Sequence, residues 1–442
     1  MENLNKKPLS YLALFGIALG LFVIFSQLAA YAQTDLYVRG AGRLIPIAIP
    51  ELCLRSGVAG DINQIPQAIS RDLDLSGYFQ IQNPASFIER PGHCGEPVWS
   101  DWSVLGSDGV VRGEVDVVSG QLNIKLYLYD IAKQRAVLGK EYSGDLSQVR
   151  KIAHKFANEI MRIYTGESGP FGTRVAYSSR LGRFKELFVM DLDGANNYQL
   201  TNDLGLAISP SWLPDGSSLI YTSYRRRQPD LFIANLGTKR AVQITNSPAL
   251  EIGARFFNQS DSFLVASDHG GESAIYLMGR DGRPIKKLAG VKGSIETSPA
   301  WSPDGSKIAF CSSRGGGPQI YIMNSDGSDQ RRISYVSSPY CTSPRWSPKG
   351  DKIAFVCRGM GGGFQLFVSS PDGSSPQQLT ASGDNEDPTW SPEGRYLIFA
   401  TTASRGAGNF ALAMARVDNP VMKLLTNGRN SETQPDWGPL PQ

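Results

Sequence analysis

At 442 residues, 41% of them hydrophobic, the chain is long enough for two or more domains with cores of their own. Its 47 glycines and 27 prolines point to many turns. Lys and Arg (44) nearly balance Asp and Glu (41), and only short basic clusters such as Arg225-Arg226-Arg227 and Arg331-Arg332 stand out, which excludes an electrostatic footprint for nucleic acid.

The N-terminus carries Lys6 and Lys7, an apolar run from Leu9 to Leu28, and the small-residue pattern Ala30-Tyr31-Ala32. Those are the three parts of a secretory signal peptide, residues 1–32, with cleavage leaving Gln33 at the new terminus. The alternative is an uncleaved anchor, since roughly 20 apolar residues can span a bilayer. No cysteine lies near the cleavage site to carry a lipid, and no later stretch is apolar enough to span.

Residues 33–169 show no repeat and read as an α+β domain. Leu44, Ile45, Ile47 and Ile49 predict a strand, and Ile65, Ile69 and Leu73 predict a helix that ends near Gly77. Residues 109–118, 121–131 and 136–142 predict a meander, with Leu122, Ile124, Leu126 and Leu128 alternating against Asn123, Lys125 and Tyr127. The last helix starts at Asp145, with Gln148 three residues on, and places Val149, Ile152, Ala153, Phe156, Ile160 and Ile163 on one face. His154 falls with Arg150 and Asn158 on its polar face, which predicts a solvated or capping histidine. The helix stops near Gly166, and residues 166–171 form a linker.

Five cysteines in an exported chain invite pairing. Cys53 and Cys94 fall in the first domain and are either a bridge or two free buried thiols. Cys311, Cys341 and Cys357 fall further on, and an odd total leaves at least one thiol unpaired within the chain.

From Phe171 onward the sequence repeats itself. The clearest copies are Pro-Ala-Trp301-Ser-Pro-Asp-Gly-Ser-Lys-Ile-Ala-Phe and Pro-Arg-Trp346-Ser-Pro-Lys-Gly-Asp-Lys-Ile-Ala-Phe; others centre on Trp212 and Trp390, a degenerate one on Phe256 and a truncated one on Trp437. The aromatics recur about every 45 residues, the size of a propeller blade. Each unit reads as four strands, the Trp ending the first and Asp-Gly turns separating later pairs. The stretch before Trp212 holds strands two to four without a Trp-bearing first strand, and the unit at Trp437 supplies only a first strand. Residues 170–442 therefore predict an all-β six-bladed β-propeller whose last strand completes its first blade. The repeated Trp is then core between blades.

Catalytic motifs are missing: no Gly-x-Ser-x-Gly, no His-Glu-x-x-His, no P-loop and no Cys-x-x-Cys. The three histidines, His93, His154 and His269, are widely spaced. No cofactor is expected. What remains as a site is the set of loops leading into each first strand, which would converge on one mouth of the channel: Glu251, Glu296, Thr297, Ser298, Cys341, Thr342, Glu386, Asp387, Glu432 and Thr433. They predict an acidic, hydroxyl-lined mouth for a basic or donor-rich partner loop, with Ca²⁺ as a candidate ion and no other metal; the alternative is that they merely cap short strands. A second alternative makes the chain a propeller lyase or glycosidase, with Glu296, Glu386 and Glu432 as paired carboxylates.

The order of several motifs resembles the TolB family of the Tol-Pal envelope system. They are Arg43-Leu-Ile-Pro-Ile-Ala-Ile-Pro50, Leu126-Tyr-Leu-Tyr-Asp130, Arg150-Lys-Ile-Ala-His154, Tyr164-Thr-Gly-Glu167 and Phe171-Gly-Thr-Arg-Val-Ala-Tyr177, followed by the Trp-Ser-Pro-Asp-Gly units. The resemblance implies a monomeric, non-enzymatic periplasmic protein, peripheral to the membrane through its partners. It implies a propeller mouth that docks the lipoprotein Pal, and an N-terminal segment, with Gln33, Asp35, Tyr37, Arg39 and Arg43, that engages TolA. It also implies a part in outer-membrane constriction and integrity during cell division. Phe256 with the following Asn258-Gln-Ser-Asp261, and the cysteines, depart from the family pattern.

Overall fold

The structure, a computed structural model, describes residues 43–57, 60–226, 228–257, 260–359, 361–403 and 409–440. The expected signal peptide and Gln33, Asp35, Tyr37 and Arg39 lie outside the described residues. Among these residues no helix is long and apolar enough to cross a membrane.

The first domain is a six-stranded mixed sheet. Ile45–Ala48 runs parallel to Phe79–Ile81 on one side and to Gly109–Val118 on the other, and the latter continues antiparallel into Gln121–Asp130 and Arg135–Asp145. Leu122, Ile124, Leu126 and Leu128 are fully buried while their neighbours Asn123 and Lys125 are exposed, so the alternation read from sequence sets the sheet's inner face. Against that face pack the helices Gln64–Leu75 and Val149–Thr165, the second preceded by a 3-10 turn that Asp145 caps through the Ser147 N–H. Gly166, at φ +79°, ends it by returning its N–H to the Arg162 carbonyl.

Two expectations for this helix need correction. Ile163 is 48% exposed, because the apolar face closes with Met161 instead. His154 is not solvated: it is buried, with Nδ1 2.6 Å from Asp72 Oδ2. Cys53 and Cys94 are joined as a disulfide that anchors the 84–98 segment to the sheet.

Six four-stranded sheets follow, and each runs in sequence order except the first, whose order is Thr433–Trp437, Arg174–Leu181, Phe184–Asp191 and Tyr198–Gln199. The ring therefore closes by the C-terminal strand pairing with the first propeller strand, Trp437 opposite Val175. We number this blade 1; blades 2 to 6 begin with Ala207–Trp212, Glu251–Phe256, Glu296–Trp301, Cys341–Trp346 and Asn385–Trp390.

The outermost strands are shorter than the sequence predicts, two or three residues in most blades. A hydroxyl accounts for this. Thr201, Thr245, Ser334, Thr380 and Thr426 each accept the backbone N–H of a third-strand residue (Leu187, Leu231, Ile320, Leu366, Leu412), replacing the next rung of the ladder with a side chain.

The aromatic at the end of each first strand packs between blades. Trp212 Nε1 donates to the Asp436 carbonyl of blade 1, and Trp390 Nε1 donates to the Arg345 carbonyl of blade 5. Trp437 Nε1 reaches Thr173 Oγ1 beside the linker, and its ring joins one buried cluster that includes Phe156 of the first domain and Leu412 of blade 6.

Removing residues 433–442 strips one strand from blade 1 and leaves unpaired edges and an opened apolar seam. The expected result is aggregation, or a melting temperature lower by at least about 10 °C. A truncated monomer that melts like the full chain in scanning calorimetry would refute closure by this strand.

Candidate functional site

All six first strands share one distortion. Counting six positions that end at the aromatic, so that in blade 1 Glu432 just ahead of the strand stands first, the register to the second strand slips between the second and fifth, and two residues face one, as where Thr297 pairs Cys311 and Ala300 pairs Ala309. The third residue of each takes the left-handed backbone region: Ser209, Gly253, Ser298, Ser343, Asp387 and Gln434, with φ between 52° and 72°. Only blade 3 relieves the strain with glycine, and the five others hold it in a side-chain-bearing residue.

The bulge decides which side chains reach the channel. The aromatic lies five positions after the first, so strict alternation puts them on opposite faces. The extra residue cancels that offset and turns the first position onto the Trp face, into the blade. Glu296 is fully buried there and accepts from Ser294 Oγ (2.7 Å), Ser312 Oγ (3.0 Å) and the Arg314 guanidinium (3.1 Å). Glu251 accepts from Ser247 Oγ (2.8 Å), and Glu432 from Thr426 Oγ1 (3.2 Å) and the Asn430 N–H (3.4 Å). In blade 6 the equivalent is Asn385, buried between Thr401 and Gln365. In blade 5 it is Cys341, directly opposite Cys357 and bonded to it as a disulfide. Cys311 is left as a buried free thiol, raised above its usual value by burial. Among the residues expected at the mouth, Glu251, Glu296, Cys341 and Glu432 are thus interior groups: Glu296 and Cys341 tie strands within a blade, Glu251 is held from the connection to blade 2 and Glu432 reaches Thr426 of blade 6, and an acidic rim built from them is not present.

The second and third positions do line a central cavity of about 510 Å³, with Thr297, Ser298, Ser343, Asp387 and Gln434 in its wall. Thr342, Glu386 and Thr433, at second positions, are half-buried. Gln434 Oε1 of blade 1 accepts the Ser209 N–H of blade 2 (2.9 Å), and within blade 1 Lys185 Nζ donates to Thr433 Oγ1 (3.2 Å). Burial raises Glu386 to about 7, helped by the like charges of Asp387 and Asp384; burial raises Asp387 as well. Deeper, at the fifth position, Arg255 pairs with Asp436. Arg345 is pulled down to about 9 by burial and then by the Arg255 charge, and it attracts both Asp436 and Asp387. The deeper channel layer therefore sets guanidinium groups against Asp436 and Asp387, while Glu386 keeps the like charges of Asp387 and Asp384 beside it. Among the described residues, three potential metal-ligating side chains come together elsewhere, at Asp72, His154 and Asp193.

Around the cavity sits a feature that sequence reading missed. The residue just before the first strand is exposed and apolar in four successive blades: Leu206 (38%), Leu250 (40%), Ile295 (61%) and Tyr340 (38%). Blade 6 carries Asp384 there, and blade 1 carries Ser431 ahead of its first position, Glu432. The mouth is thus an apolar crescent over blades 2 to 5 that opens onto a polar gap. Four apolar residues at one repeated loop position, where loops are ordinarily polar, was the available signal.

These placements predict opposite behaviour for two glutamates. Glu296→Gln unbalances a buried ion pair with Arg314 and should cost about 2–4 kcal/mol of stability. Glu386→Gln should not destabilise. Its carboxyl titrates near 7 when folded and at an ordinary lower value when unfolded, so the wild type holds that contribution in acid and loses it as pH rises through about 7. The variant's melting temperature should gain on the wild type between pH 5 and pH 8; a gain in the reverse direction would contradict the assignment.

Comparison with known proteins agrees with this architecture. Residues 38–137 match the family model for the TolB amino-terminal domain, and residues 161–441 match that for the TolB beta propeller domain. The Tol-Pal system protein TolB of Syntrophotalea carbinolica is 32% identical over 197 residues, 42% of this chain and 45% of that protein. The protein of the same name from Anaeromyxobacter dehalogenans is 34% identical over 176 residues, 39% of this chain and 41% of that protein. The aligned part thus spans less than half the length of these relatives. The crystal structure of TolB from Acinetobacter baumannii covers 92% of this chain with a TM-score of 0.78 at 23% identity, a likeness of fold. With a family propeller model matching well over half of its residues, and the amino-terminal model matching ahead of it, the chain belongs to the TolB family.

Proposed function

We propose that this protein is a non-enzymatic, periplasmic component of a Tol-Pal system. In this reading it docks the lipoprotein Pal on the propeller mouth and TolA through its N-terminal segment, and so supports outer-membrane constriction and integrity during cell division. The observation that carries the reading is the mouth itself: an apolar crescent of Leu206, Leu250, Ile295 and Tyr340 around a cavity in which Arg255 is already paired with Asp436. Such a surface gains from burying a partner's apolar side chains and offers little to a reaction.

A lyase or glycosidase has less support. Of the glutamates that would serve it, Glu296 and Glu432 are buried and held by hydrogen-bond partners, and no histidine lines the cavity. The segment expected to engage TolA is about residues 33–50; of its candidate residues, Arg43 is exposed and 3.8 Å from Asp108.

Replacing Leu250 and Ile295 together by Asp should weaken Pal binding at least about 30-fold, or 2 kcal/mol, with the melting temperature unchanged. An unchanged affinity in a calorimetric titration would move the site elsewhere. Deleting residues 33–42 should abolish TolA binding and spare Pal binding. A deletion that binds TolA as the full chain does would withdraw the N-terminal assignment.

A further inference from the structure

A buried cluster of titratable groups lies where the first domain meets the propeller, away from the channel. Asp72, one turn before the end of the helix Gln64–Leu75, is fully buried, and its Oδ2 stands 2.6 Å from His154 Nδ1 on the helix Val149–Thr165. One turn before His154, Arg150 crosses to blade 1, where it pairs with Asp193 and stands 4.0 Å from Asp191. Asp193 belongs to the turn after the strand Phe184–Asp191, and its Oδ1 accepts the Ala195 N–H at 3.1 Å.

Donor atoms of Asp72, His154 and Asp193 lie within 4.8 Å of one another, close enough to suggest a metal. The partners argue otherwise. Both oxygens of Asp193 are engaged, and Arg150 already supplies the positive charge a metal would bring. Two carboxylates face one guanidinium in the buried part, with Asp191 adding negative charge at its half-exposed edge. A proton on His154 is the remaining way to balance them. The other charged groups of the helix Gln64–Leu75 at this interface look to blade 6: Asp74 pairs with Lys423 (3.0 Å), and Arg71 donates to the Leu424 carbonyl (2.8 Å).

We propose that the Asp72–His154 pair, with Arg150 and Asp193, is a proton-controlled latch between the two domains. Protonated His154 holds the two helices against blade 1, and loss of that proton loosens the contact. Titration follows the same sense. Burial pulls His154 down, but the hydrogen bond and charge of Asp72, and the charge of Asp193, outweigh it and leave the imidazole raised. Burial raises Asp72 to about 6. A raised value means that the docked form binds protons the opened form releases. The stabilisation is complete below about 6.5, the ordinary value for histidine, and is lost as pH rises through the higher docked value.

Native-state hydrogen exchange on the full chain tests this at the amides of Leu192, Gly194 and Ala195 in the blade 1 turn and along the helix Val149–Thr165. Comparing wild type with His154→Gln at each pH cancels the intrinsic exchange rate. The ratio of protection factors should fall as pH rises from about 6.5 to 8.5, by up to about tenfold per unit. A ratio that stays flat would overturn the latch. Should His154→Gln fail to fold, Asp193→Asn leaves both helices intact and should show weaker protection of the helix Gln64–Leu75 with a smaller pH dependence. Full wild-type pH dependence in that variant would confine the pair to the first domain and reject the interdomain role. Protection restored at high pH by added zinc would replace the proton with a metal.

Discussion

Trp437 bonds Thr173 across 264 residues of chain, and the strand that carries it pairs with Arg174–Leu181 to close the ring. That closure fixes more than blade 1. A radial array keeps its edges short and protected only when every blade has its full set of strands, and six bulged first strands line a common channel only when the ring is complete. The same strand supplies Asp436, which binds Arg255 of blade 3 and the Trp212 N–H of blade 2, so three blades meet on one carboxylate. The first domain rests on this seam too, since Trp437, Phe156 and Leu412 share one buried cluster.

Charge is arranged in layers around the channel. Carboxylates at the first position of the first strand are buried and hydrogen-bonded, and deeper in the channel Asp436 pairs with Arg255. The net effect is that the negative charge left at the mouth gathers in blade 6. Affinity for a partner would then come from shape and apolar area on one side, with Asp384 and the half-buried Glu386 and Asp387 marking the other side and setting orientation.

Much of the fold was legible in the sequence because its signals are local. Trp-Ser-Pro-Asp-Gly fixes a turn and an interblade aromatic wherever it occurs, and Leu122 to Leu128 alternate without interruption. The site was less legible because a bulge erases parity. Counting back five residues from Trp301 puts Glu296 on the channel face, and the extra residue at Ser298-Pro299 turns it inward. The same inversion hid the Cys341–Cys357 bridge, whose residues look unrelated until the register sets them opposite each other. His154 was misplaced for a different reason. Its helix has a polar face, but that face meets Asp72 and the blade 1 turn rather than water, a contact between segments distant in the chain.

Ring closure also orders events in time. Blades 2 to 6 are built from consecutive strands and can pair as soon as their own residues are available, and the disulfide of blade 5 spans a separation of only 16 residues. Blade 1 must wait for the strand Thr433–Trp437, and until then Arg174–Leu181 presents a free edge and Trp212 lacks its acceptor. Loops this long close slowly, and the open ring is the species with exposed strand edges. Substitutions along the closing strand would therefore show themselves first in yield, through the lifetime of the unclosed chain, even where the finished propeller tolerates them.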